Sequence, residues 1–141
     1  MIRILSAAAV LLAFAGSAQA YELRAKSESA LTSVEDLSAL VHKIGDEAAH
    51  NIPDDKSVRV YAITESKNRA NSTEILYNHR VELRKVFDNR DPPYPVGGWF
   101  VIYTSETYGI GTPEKAKAEL ENTIRKFFVE LRKLNPKTDA P

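Results

Sequence analysis

The sequence predicts an α+β fold. The expected form is a two-layer sandwich in the order helix-strand-strand-strand-helix, built on a mostly antiparallel three-stranded sheet. Three observations predict it. Segments 31–52 and 113–135 each carry one apolar stripe at helical spacing. Segments 57–65 and 99–106 are dense in β-branched and aromatic residues. Proline and glycine gather between these runs, notably at 90–98. One sheet with both helices on the same face would bury both stripes.

The chain opens with Arg3, an apolar run from Ile4 to Gly16, and the small residues Ala18 and Ala20 around Gln19. This is the three-part build of a secretory signal, so 1–20 is set apart as a signal peptide cut after Ala20. The apolar run is short for a membrane-spanning helix. Export to a bacterial periplasm, or secretion, follows as the expected localisation. The chain has no cysteine. That excludes disulfides, thiolate zinc sites, a cysteine nucleophile and lipoprotein attachment. Arg3 is the only charge in 1–20, which leaves 18 basic against 19 acidic residues in the mature chain. Such a balance supplies no general attraction to nucleic acid or anionic lipid. With no second long apolar run, no membrane insertion is expected after signal cleavage.

Residues 21–30 are polar and read as a flexible N-terminal segment. A single domain over 31–135 follows. In 31–52 the stripe is Leu31, Val34, Leu37, Leu40, Val41, Ile44, Ala48 and Ile52. Thr32 and Glu35 have capping-box spacing, and Pro53 ends the helix. Gly45 inside it requires either a close neighbour or a weak turn. In 57–65, Val58, Val60 and Ala62 share one strand face and Arg59, Tyr61 and Ile63 the other. Segment 72–89 fits both periods. As a strand it aligns Ile75, Tyr77, His79, Val81, Leu83 and Phe87; as a helix it aligns Ile75, Leu76, His79, Leu83, Val86 and Phe87. Propensity favours the strand, with a bulge near Asn78; a helix there would turn the fold into α/β. Segment 90–98 reads as a loop and 107–111 as a turn. Thr112 caps the last helix, with Pro113 at its first position. Residues 136–141 read as a loose tail.

The strand at 99–106 is apolar on both faces: Phe100 and Ile102 on one, Trp99, Val101 and Tyr103 on the other. The strand at 57–65 adds Tyr61 and Ile63 to a second face. Two helices on one side cannot cover both. Three accounts remain open: loops such as 90–98 fold over the second face, a protein partner or second copy docks there, or the face binds a small-molecule ligand. The candidate ligand- or partner-binding residues are Tyr61, Trp99, Val101 and Tyr103, with Tyr94 and Tyr108 on flanking loops at the rim.

Catalytic signals are sparse. His42, Asp46 and His50 share a helix face, but the two histidines lie about 12 Å apart at 1.5 Å per residue, too far for one ion. They read as a solvated face, and no metal or cofactor is expected. Gly109-Ile110-Gly111-Thr112 lacks the length and the lysine of a phosphate loop. There is no nucleophile motif. The expectation is a small exported binding or interaction module, such as a periplasmic adaptor, inhibitor or ligand-binding protein, rather than an enzyme. The alternative is a small periplasmic hydrolase using His79 or a pair among the scattered carboxylates.

Overall fold

The computed structural model describes residues 21–89 and 96–134. The proposed signal segment 1–20, Tyr94 and the tail at 136–141 lie outside the described residues. The order is β1 (Glu22–Glu28), α1 (Val34–Glu47), β2 (Val58–Asn68), β3 (Ile75–Asn89), β4 (Val96–Gly111) and α2 (Pro113–Leu134). The strands form one sheet in the order β1-β2-β3-β4. Pairing is parallel between β1 and β2 and antiparallel elsewhere. The fold is α+β.

The core lies between one sheet face and the helices. Val58, Val60, Ala62, Val81 and Leu83 meet Leu37, Val41 and Ile44 of α1 and Leu120, Ile124, Phe127, Phe128 and Leu131 of α2. The helix stripes predicted from spacing therefore supply the buried residues, although Val34 at the start of α1 is exposed. Segment 72–89 resolves as a strand: paired across its whole length, it buries Ile75, Tyr77, His79, Val81 and Leu83 on one side.

Several expectations are corrected. Residues 21–30 are not a flexible lead-in. Glu22–Glu28 pair with Arg59–Glu65, and Tyr21 is buried against His42, His50 and Phe128. A short edge strand draws its ladder from a partner thirty-seven residues away, so its own pattern of charges hides it. The cap of α1 is Ser33, whose hydroxyl accepts from the Asp36 amide at 3.0 Å, and the helix stops at Glu47, with Ala49 in the left-handed region. Residues 96–98 are not loop and 107–111 is no turn, because β4 runs from Val96 to Gly111. The bulge lies in β4 at Ile102, not near Asn78: Leu83 pairs with Tyr103 and Arg84 with Val101, leaving Ile102 as the extra residue.

Of the two alternatives at Gly45, a close neighbour or a weak turn, the first holds. A Cβ there would stand 2.9 Å from Phe128 Cζ and 2.9 Å from Tyr21 Oη. α2 begins as expected, with Thr112 Oγ1 accepting from the Lys115 amide at 3.2 Å.

Candidate functional site

Both helices pack on one side of the sheet, and no described element covers the other. The pleat sends alternate residues of each strand to this open face. Tyr61 arrives from β2, Arg80, Glu82 and Arg84 from β3, and Trp99 and Val101 from β4.

The centre of the face is a stack across three strands. The Arg84 guanidinium carbon lies 4.0 Å from the Tyr61 ring centroid and 3.9 Å from that of Trp99. Each such cation–π contact contributes on the order of 0.5–1 kcal/mol, and more when water is excluded. The nitrogens of Arg84 donate to Glu82 at 2.5 Å, and Arg80 Nε lies 3.2 Å from the same carboxylate. Glu82 is only 6 % exposed. Its buried charge is therefore compensated, as a buried carboxylate requires. The result is an aromatic pair held apart and oriented by one arginine, itself aimed by one glutamate. Trp99 remains 53 % exposed and Val101 39 % exposed beside it.

The predicted residues divide. Tyr61, Trp99 and Val101 come together around Arg84. Tyr103 does not join them. The bulge at Ile102 inverts the alternation, so Tyr103 turns to the helix side and its ring sits 5.6 Å from Phe127. Tyr108 is on the open face but within β4 rather than on a loop. It stands six ladder steps beyond Val101, about 20 Å at ~3.3 Å per residue. It is 82 % exposed. With Leu76, Asn78 and Ile110 it borders a second, shallow hollow of about 370 Å³, with Glu65 and Lys67 alongside. Arg84 is the residue that sequence reasoning undervalued. Nothing in the pattern of 72–89 singles it out, and only the register reveals the two rings on either side of it.

Glycines opposite aromatics support this face from behind. Tyr77 pairs with Gly109 and Phe87 with Gly98. A Cβ at either glycine would fall within 2.7 Å of the opposing ring or its hydroxyl. The far ends of the two rings occupy the space over the bare backbone and help to hold the register of the long hairpin.

His79 is fully buried. Its Nε2 lies 2.8 Å from the Ala116 carbonyl, which must accept, so Nε2 carries the proton. Nδ1 then accepts from the Thr64 hydroxyl at 2.8 Å. Burial holds its pKa below the ordinary histidine value, partly opposed by the Ala116 hydrogen bond. Both ring nitrogens are committed within the core, out of reach of solvent. Glu74 is paired with Arg69 at 2.8 Å. His42 and His50 flank the Tyr21 ring at 5.5 and 4.8 Å, and the described residues hold no cluster of three groups able to bind a metal.

No protein-family model matches this sequence, and no curated protein is significantly similar to it.

Proposed function

We propose that this chain is a small exported binding module that engages its partner through the open sheet face. The observation that carries the reading is the Tyr61–Arg84–Trp99 stack. Partly exposed aromatics fixed by a buried ion pair lose little freedom on binding, and Trp, Tyr and Arg are the residue types that dominate interface energies. Val101 lies at the edge of the stack, and Phe100, on the opposite side of β4, is also exposed. Export is supported by the three-part leader in 1–20. No described helix is long and apolar enough to cross a membrane.

The test is site-specific photo-crosslinking in cells. A benzoylphenylalanine at position 101 should give a discrete adduct, and the same probe at Lys126, exposed on α2, should not. Arg84→Ala should reduce the adduct severalfold by freeing Trp99. Equal labelling from both positions, or none from 101, overturns the assignment of this face. Amino-terminal sequencing of the mature protein should begin at Tyr21; a retained leader would remove the exported part of the reading.

A further inference from the structure

The two edges of the sheet are built differently. β1 has seven residues and a charge at every second position: Glu22, Arg24, Lys26 and Glu28. These join in ion pairs, Arg24 with Glu22 and Lys26 with Glu28, each at 2.5 Å. A short, charged strand is a guarded edge that resists pairing with another chain. β4, the opposite edge, has sixteen residues, with neither lysine, arginine nor proline among them. Glu106 is its only charge. Among its described residues, only the bulge at Ile102 and the single charge of Glu106 guard it. Beyond that bulge, Tyr103 to Gly111 form an unbroken ladder with β3, from Leu83 to Ile75. Every residue of that run therefore holds extended backbone, and no described strand lies on its outer side. An outer edge of this kind presents amide and carbonyl groups that another extended strand can satisfy.

We propose that the Tyr103–Gly111 run of β4 pairs antiparallel with the same run of a second copy of this chain, about a two-fold axis at Thr107. Thr107 is the midpoint of the run. An antiparallel edge is self-complementary, and a two-fold pairing makes each contact twice. In this register Glu106 stands opposite Tyr108 of the second copy, so the two Glu106 carboxylates do not face each other. Thr104 meets Ile110 of the second copy. Tyr103 meets Gly111, a large residue against a bare backbone, the arrangement Tyr77 and Gly109 already use within the chain. A peptide of different charge would find only Glu106 to recognise, which favours a like strand. The pairing would cover part of Tyr108, the most exposed large hydrophobic residue described, and join two four-stranded sheets into one of eight. It rests on the proposed reading only in treating the protein as an interaction module. The Trp99 patch lies on the other side of the bulge and stays open on each copy.

Sedimentation velocity of the purified protein over a wide concentration range tests the pairing. The wild type should pass from monomer to dimer. Tyr108→Glu sets a carboxylate opposite Glu106 of the second copy twice over, and should weaken the dimer by about tenfold or more. Tyr108→Lys should keep it, because lysine then faces Glu106. Glu106→Lys combined with Tyr108→Glu should restore it by exchanging the charges. Position 108 is solvent-exposed, so circular dichroism should find each variant folded. Trp99→Ala should dimerise as the wild type does while losing crosslinking at the open face, which separates a failure of this inference from a failure of the proposed function. A wild type that is monomeric throughout overturns the pairing, as does a dimer indifferent to Tyr108→Glu. Failure of the double variant to recover overturns the Thr107-centred register.

Discussion

Gly45 sits where helix propensity and packing oppose each other. Alanine is the better helix former by about 1 kcal/mol. Its Cβ would nevertheless press on Phe128 and Tyr21, both buried and both ring systems with little room to yield. Overpacking of this kind costs on the order of 1–3 kcal/mol, so the packing term wins. Gly45→Ala should lower stability by about 1 kcal/mol in urea titration, with an unchanged slope. An increase in stability would mean that the two rings move aside freely. Arg84 is the corresponding residue on the open face. Lysine keeps the charge but loses the planar fork that both faces the rings and donates to Glu82, so Arg84→Lys is not a conservative change there.

At the scale of elements, β4 depends on one residue. Ile102 has no partner on β3, and the residues on either side of it, Val101 and Tyr103, face opposite sides of the sheet although they are two apart in sequence. Deleting Ile102 should therefore restore a regular ladder while leaving Trp99 on the open face and Tyr103 on Phe127. The variant should fold with the wild-type tryptophan emission maximum, at a cost of about 1 kcal/mol or more from the lost contact of Ile102 with the core. Replacing Ile102 by another residue should not move Trp99 at all. A marked shift of the emission in the deletion variant would mean that the β3–β4 register is held elsewhere, for instance by the glycine–aromatic pairs. β1 makes the complementary case. It is an edge strand tied down by Tyr21, and its amides should exchange with solvent earlier than those of β3, which is paired on both sides.

For the whole molecule the three histidines predict a loss of stability on mild acidification. His42, His50 and His79 all have pKa values held below the ordinary value near 6.5, first of all by burial. Asp46 partly opposes this at His42 and His50, and the Ala116 carbonyl and Glu119 do so at His79. A group whose folded pKa is depressed binds its proton more readily in the unfolded chain. Its contribution is therefore complete above about pH 6.5 and is lost as pH falls through the folded values. The melting temperature should be flat from pH 8 to about 7 and fall below about 6.5. A His79→Gln variant should be less stable at neutral pH, since it loses a ring stacked on Tyr77 at 5.1 Å, yet it should show a shallower acid decline. A melting temperature that rises on acidification would contradict the lowered pKa of these imidazoles.

The sequence by itself pointed to the α+β class, and it gave both helices, the cap at Thr112, the choice at Gly45 between a close neighbour and a weak turn, and the surplus of apolar strand faces. These are local or periodic properties: a stripe at 3.6 residues, a cap one turn away, a missing Cβ, an alternation of two. It also pointed to Tyr61, Trp99 and Val101. Only the tertiary structure decided that 22–28 is a strand, that 72–89 is not a helix, that the bulge is at Ile102, and that Tyr103 therefore leaves the candidate site for the core. It alone placed Arg84 between two rings. Each of these depends on which residue of one strand stands opposite which residue of another. A single step of register reverses every side chain beyond it, and register is a property of paired strands that neither strand carries alone.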